Sequence, residues 1–417
     1  MKIGSSTGIA AIALSISGSS AFSPVSFSTC TSKPTDCASE RRIGSNALAA
    51  ATLIDDPAFT PPDTFNEGMI TEQACTDAAS LMRRVKVPVP PAVSSTGDVG
   101  VSYIHWPASA AAKRSYGPTL PLVLVHGFDS SCLEYRRLGP KLADLGIDVY
   151  AVDLLGWGYT QLSDVESFSA QAKVDALSGF WAVVGDNGPV CIAGASLGGA
   201  AAIEYASSNP DVVKGAVFID AQGFVDGVGP MSMLPKPVAQ LGVKVLKSVP
   251  LRSSANTMSY YDTETYATDD ALRVGRMHCL REGWDDALVS FMQSGGFSPS
   301  KKVSQIAAPS LVLWGRQDGI LEKEFAQRFI DTLPDGTLQW IEECGHVPHL
   351  EQPEETAAAI SNFLRSDKFG GVGGKGLVVT AQSSDTIKIV GGLASAVAAA
   401  AAAATLGGAE TLFGNIF

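Results

Sequence analysis

Residues 190–201 read Val-Cys-Ile-Ala-Gly-Ala-Ser-Leu-Gly-Gly-Ala-Ala, and this stretch decides the fold. An apolar run of strand type meets Gly194-x-Ser196-x-Gly198 and passes without a break into an Ala-rich, helix-favouring segment. A strand that turns sharply into a helix on Gly-x-Ser-x-Gly presents its serine on a strained turn at the edge of a sheet. Ser196 is therefore the candidate nucleophile. Gly194 and Gly198 flank it because so tight a turn brings backbone segments close enough that a Cβ at either position would clash. The five-residue pattern also describes an ordinary Gly/Ser turn, so the assignment depends on what accompanies it elsewhere in the chain.

Working outward, residues 120–125 form a continuous apolar run, as expected of a parallel strand buried on both faces, and end in His126-Gly127-Phe128-Asp129. Residues 146–152 give a second strand, closed by Asp153-Leu154-Leu155-Gly156, and a helical stretch near 170–184 leads back to the serine strand. Further runs at 213–219, 310–314 and 337–341 are followed by Asp220, by Gly315-Arg316-Gln317-Asp318, and by Cys344-Gly345-His346-Val347-Pro348-His349-Leu350-Glu351. A short helical patch near 72–84 and a strand at 99–106 precede them. Strands alternate with helices at the spacing of right-handed βαβ crossovers, which predicts an α/β fold with a mostly parallel, twisted sheet flanked by helices. Between about 224 and 296 the alternation breaks into short helical patches punctuated by Pro230, Pro235, Pro237 and Pro250. This is expected to be a helical lid inserted between two core strands. Met231, Met233, Tyr260, Tyr261, Tyr266 and Trp284 within it suit ordinary lid packing, with a lipophilic pocket as the alternative.

Side chains at the carboxyl ends of such strands build sites. Asp318 lies at one such end, and His346 follows the last strand, where it is placed to act as general base with Asp318 orienting its imidazole. Asp220 is the alternative acid. His126 is expected to bond loop backbone, Asp153 to cap the Gly-rich loop behind it, and His349 to pack at the start of the next helix.

Composition bounds the class. The 417 residues are 46% hydrophobic and 17% charged, enough for a large core. A net charge of -12 without Lys/Arg clusters argues against nucleic acid as a partner. The seven cysteines fall at irregular spacings with no CxxC pair, so neither a metal site nor a disulfide framework is suggested.

The termini differ from the body. Lys2, the apolar run 9–16 and the small residues 17–21 have the layout of a signal peptide over 1–21. Residues 1–50 carry a net +2 against -14 for everything after them. Ala21-Phe22-Ser23-Pro24 resembles the Ala-Phe-x-Pro cleavage motif of bipartite presequences in algae with red-lineage plastids, which implies a transit peptide over 22–50 and plastid (chloroplast) import, with secretion or endomembrane delivery as the alternative. Residues 51–97 read as an N-terminal extension leading into the first strands, 98–366 as the main domain, and 367–417 as a Gly/Ala-rich, low-complexity tail. Residues 389–409 are uncharged but mostly Ala and Gly, so a membrane anchor is the less favoured reading of that tail.

Taken together, Ser196, Asp318 and His346 in that chain order, with His126-Gly127-Phe128, Asp153-Leu154-Leu155-Gly156 and the run from Gly345 to Pro353, resemble the α/β-hydrolase fold superfamily. The nearest look is the branch holding small-molecule esterases, C–C bond hydrolases, epoxide hydrolases and chlorophyll-degrading esterases. Haloalkane dehalogenases and epoxide hydrolases carry Asp at the turn where Ser196 stands, so those two activities are disfavoured. The resemblance implies an oxyanion hole formed by the N–H groups of Phe128 and Leu197, and acyl transfer from a small, lipophilic ester through a Ser196 acyl-enzyme to water. That chemistry needs no metal and no organic cofactor. An acyltransferase with the same triad and a non-catalytic ligand receptor on the same scaffold are the alternatives.

Overall fold

A computed structural model describes residues 55–61 and 70–369, all within the unit Ala50–Phe417. The signal and transit readings over 1–50, and the tail from 370 with its uncharged stretch 389–409, lie outside the described residues. In chain order the elements are α1 (Gln73–Ser80), β1 (Met82–Pro88), β2 (Asp98–Trp106), α2 (Ala110–Tyr116), β3 (Leu122–Val125), α3 (Leu138–Asp144), β4 (Val149–Val152), α4 (Ala170–Val184), β5 (Val190–Ala195), α5 (Leu197–Ser208) and β6 (Val213–Ile219). An insert follows, with α6 (Lys236–Leu246), α7 (Val249–Ser259), α8 (Thr263–Tyr266), α9 (Asp269–Met277) and α10 (Trp284–Gln293). The chain then returns through β7 (Ser310–Gly315), α11 (Glu324–Thr332), β8 (Gly336–Ile341), α12 (Pro348–Glu351) and α13 (Pro353–Leu364).

The eight strands form one sheet in the order β1-β2-β4-β3-β5-β6-β7-β8. β1 and β2 are antiparallel to their neighbours, and β3 through β8 run parallel. The expected α/β architecture with a helical insert is therefore the observed one. β1 lies inside the stretch expected to be an extension: Met82–Pro88 pairs along its whole length with β2. Pro88 is tolerated because it closes an edge strand, where a missing N–H breaks no ladder.

Period-two alternation divides the core into two layers. Val123 and Val125 of β3 face a cluster with Phe180 of α4, Ala200 of α5 and Phe329 of α11, while Leu122 and Leu124 face Leu138 of α3 and Ile360 of α13. All four residues of β3 and all six of β5 are buried, which is why these strands read as unbroken apolar runs. In the insert, the prolines initiate helices. Pro237 and Pro250 stand in the first turns of α6 and α7, where the missing N–H would be unpaired anyway.

Register positions the site. Val125 lies opposite both Val152 and Gly194, and Ile219 opposite both Ala195 and Leu313. The residues that follow these strands, namely His126, Asp153, Ser196 and Asp220, therefore emerge along one edge of the sheet.

Candidate active site

Ser196 joins β5 to α5 with φ +50° and ψ -123°, a backbone state that a serine adopts only when its surroundings force it. Those surroundings are close. A Cβ on Gly194 would lie 2.2 Å from the Gly198 carbonyl oxygen, and one on Gly198 would lie 2.2 Å from that of Val125. The Ser196 N–H donates to Ile219 O at 3.0 Å, and its carbonyl accepts from the Gln222 N–H at 2.8 Å, so both sides of the turn are pinned to the chain around Asp220.

His346 lies in the loop between β8 and α12 and is held there by its neighbours. Its N–H donates to Ser259 O of α7 at 2.8 Å, and its Nδ1 lies 2.9 Å from Asp318 Oδ2. Asp318 Oδ1 accepts from the N–H groups of Ile320 and Leu321 at 2.7 and 3.1 Å, so the carboxylate is aimed before the imidazole reaches it. The bond at Nδ1 leaves Nε2 for a substrate-side proton. Among the described residues no hydrogen bond joins Ser196 Oγ to His346; such bonds commonly tighten only when substrate is bound.

Asp220, the alternative acid, stands in the same cluster: ligand atoms of Asp220, Asp318 and His346 lie within 4.8 Å of one another. Its Oδ1 accepts from the Gly315 N–H at 2.9 Å, and its Oδ2 has no partner among the described residues. Complete burial and the nearby Asp318 charge push its carboxyl well above the usual range.

The loop after β3 packs directly on the serine turn. A Cβ on Gly127 would come within 3.3 Å of Ser196 Cβ. Among the described residues the N–H groups of Phe128 and Leu197 donate to no backbone acceptor, and Leu197 is the first residue of α5, whose leading N–H groups are orphaned by geometry. Two free donors thus flank the serine, as an oxyanion hole requires. His126 takes the structural role expected of it. Its Nε2 accepts from the Leu154 N–H at 3.0 Å, its Nδ1 bonds Gly127 O at 2.8 Å, and burial pushes its pKa down. Asp153 accepts from the N–H groups of Cys132 and Tyr159, holding the loops after β3 and β4 together. His349 sits in α12, where its Nε2 lies 2.9 Å from Glu134 Oε1, and Glu134 Oε2 accepts from the Gly127 N–H at 3.1 Å.

Sequence reasoning missed three buried groups. Glu351 accepts from the N–H groups of Gly345, Tyr261 and Asp262 at 2.6, 3.2 and 2.7 Å, tying the insert to the His346 loop. Asp129 collects donors from the insert. Lys173 is buried with Nζ 2.5 Å from Leu155 O and 3.7 Å from the centre of the Trp157 ring, and burial pushes its pKa well below the usual value. Asp129, His278 and Cys279 also place ligand atoms within 4.8 Å of one another, but Arg252 already contacts both the carboxylate and the sulfur, and a guanidinium there opposes a cation.

This fold and this constellation define a hydrolase of the α/β type, and comparison with known proteins agrees. The chain belongs to the Alpha/beta hydrolase family, whose profile matches residues 122–359. It is 33% identical over 285 residues to the alpha/beta hydrolase domain-containing protein VTE7 of Arabidopsis thaliana, covering 68% of this chain and 84% of that one. It is 28% identical to the 2-hydroxy-6-oxo-6-(2'-aminophenyl)hexa-2,4-dienoic acid hydrolase of Metapseudomonas resinovorans, over 60% of this chain and 85% of that protein. Among solved structures, an esterase from Thermogutta terrifontis shares the fold with a TM-score of 0.55 at 21% identity, over 68% of this chain and 98% of the esterase.

Proposed function

We propose that the protein is a serine hydrolase that cleaves a carboxylic ester, or a related acyl bond, of a small lipophilic molecule through an acyl-enzyme on Ser196. The observation that carries this reading is the strained Ser196 turn flanked by two N–H groups without a partner among the described residues, on the same sheet edge as an imidazole oriented by Asp318 at 2.9 Å. In the first step His346 Nε2 takes the Ser196 proton as Oγ attacks the carbonyl carbon. The Phe128 and Leu197 N–H groups hold the oxyanion, and collapse of the tetrahedral adduct expels the alcohol with the proton from His346. In the second step His346 deprotonates a water that attacks the acyl-enzyme and restores the free serine. The aromatic rings of Phe128, Trp157 and Phe291, packed edge to face from the oxyanion loop to the insert, give the neighbourhood the apolar character a lipophilic substrate needs.

The test is hydrolysis of p-nitrophenyl esters of increasing acyl length by the full chain and by Ser196→Ala, beside labelling with a fluorophosphonate. Activity and labelling are expected in the first and absent from the second; a wild-type chain silent in both assays would overturn the reading in favour of ligand reception. Product analysis with an added alcohol separates water from another acyl acceptor. The similarity to a dienoic acid hydrolase makes C–C cleavage the second reading, and a vinylogous 1,5-diketone offered beside the esters decides between them.

For location we propose import into a plastid, supported by Ala21-Phe22-Ser23-Pro24 and by the charge reversal after residue 50. A fluorescent fusion of residues 1–50 that enters the secretory route alone would overturn it. Among the described residues no helix is long and apolar enough to cross a membrane.

A further inference from the structure

Asp129 follows Phe128 directly, stands at φ +48°, and is buried with 2% of its surface exposed. It belongs to the loop after β3, yet the side-chain donors to its carboxylate come from the insert. Trp284 Nε1 of α10 donates to Oδ1 at 2.8 Å, His278 Nε2 lies 2.9 Å from the same oxygen, and Arg252 of α7 contacts Oδ2. Arg252 Nη1 also reaches the Asp129 carbonyl at 3.3 Å. Three insert segments thus converge on one buried carboxylate. A second, apolar connection runs beside it: Phe128 stacks edge-on against Trp157 with centroids 5.5 Å apart, and Trp157 against Phe291 of α10 at 5.0 Å.

A left-handed backbone at a residue with a Cβ persists only where its surroundings over-determine it. Here the charge-assisted bonds to the insert supply that constraint. Fixing Asp129 fixes the turn by which the chain leaves Phe128, and with it the direction of the Phe128 N–H beside Ser196. We propose that Asp129 is a positioning residue that aims the Phe128 N–H by clamping the oxyanion loop to the seated insert, so that the oxyanion hole is complete only when residues 252–284 are docked. This deepens the serine-hydrolase reading and rests on it. The insert is then part of the catalytic machinery as well as a cover, and its dislodgement costs rate before it costs substrate affinity.

The experiment uses the full chain, Asp129→Asn and Trp284→Phe. Each is assayed for ester hydrolysis, for inhibition by an arylboronic acid that forms a tetrahedral adduct on Ser196, and for binding of a non-hydrolysable ether analogue of the ester. Asn keeps the shape of Asp129 but removes the charge that holds Arg252 and His278. A mis-aimed donor is expected to lower kcat about 10- to 100-fold, to weaken the boronic acid by a similar factor, and to leave KM and ether binding within about twofold. Trp284→Phe keeps an aromatic ring, though a smaller one, and loses the Nε1 donor, and should show the same pattern at smaller size. If both variants melt earlier but keep wild-type kcat and boronic acid affinity, Asp129 is a structural strut and the proposal falls. Equal weakening of the boronic acid and the ether would overturn it too, because the pocket rather than the oxyanion hole would then have changed. Should Asp129→Asn fail to fold, Trp284→Phe decides by the same criteria. Wild-type activity separates the two levels: a silent wild type removes the hydrolase reading itself, whereas active wild type with unaffected variants removes only the clamp.

Discussion

Asp318 and Asp220 stand at the same imidazole, but only Asp318 is bonded to it, with Oδ2 2.9 Å from His346 Nδ1. Asp220 instead turns one oxygen to the Gly315 N–H. Two carboxylates this close in a buried site do not both ionise. Burial, and then the neighbouring Asp318 carboxylate, keep the proton on Asp220, whereas Asp318 accepts two backbone N–H groups besides facing the imidazole. Asp318→Asn should therefore lower kcat by about 10⁴-fold, since an amide favours the wrong tautomer of His346. Asp220→Asn replaces one neutral group with another of the same shape and should keep kcat within about fivefold. Steady-state ester hydrolysis by the two purified variants checks this, and the reverse ranking would make Asp220 the triad acid.

The clamp at Asp129 has a pH signature. Burial alone would lower the His278 pKa, but the adjoining Cys279 and the Asp129 carboxylate more than offset it and raise it to about 9. An unfolded histidine titrates near 6.5. The folded state therefore binds the proton more tightly, so this pair's contribution is full below about pH 6.5, declines as pH rises, and is gone above about 9. The size is on the order of 3 kcal/mol. Urea melts of wild type and His278→Asn across pH 6 to 10 should converge toward the alkaline end, and parallel curves throughout would remove the ion pair from the account.

Glu351 ties the insert to the other half of the site. It is 1% exposed and accepts three N–H groups, from Gly345 beside His346 and from Tyr261 and Asp262 in the insert. Glu351→Gln keeps the length but offers one acceptor oxygen where two are used, leaving a buried donor facing an NH₂ group. A loss of about 1–3 kcal/mol is expected, read by thermal melting, together with a fall in kcat as His346 loosens. Unchanged melting would mean that water replaces the lost acceptor.

The serine turn and the strands around it were legible because each rests on local pattern. β5 is a buried run ending in Gly194-x-Ser196-x-Gly198, and its glycines answer to contacts a few residues away or in the adjacent strand. Asp318 and His346 were legible through their places at strand ends. The clamp was not, because Arg252, His278 and Trp284 lie 123, 149 and 155 residues beyond Asp129 and carry no periodicity that points back to it. Nothing in Val85 to Pro88 separates an edge strand from a Pro-marked loop until β2 is present to pair with it. Long-range pairing of buried polar groups is the part of the fold that local sequence cannot encode.

One substitution made at two glycines separates steric need from chain entropy. A Cβ on Gly198 would lie 2.2 Å from Val125 O and 2.4 Å from His126 O, which is backbone that cannot move without shifting the loop after β3. Gly198→Ala should therefore cost about 3 kcal/mol or more and lower kcat even in the fraction that folds. Gly275 lies inside α9, where an added Cβ would meet nothing within 4 Å. There the only change is in the backbone freedom of the unfolded chain and in helix propensity, so Gly275→Ala should stabilise by about 0.5–1 kcal/mol. Chemical denaturation of both variants with activity measured alongside tests the contrast. If Gly198→Ala melts and turns over like wild type, the serine turn is looser than its contacts imply, and the strain at Ser196 is not imposed by the packing of β3 against α5.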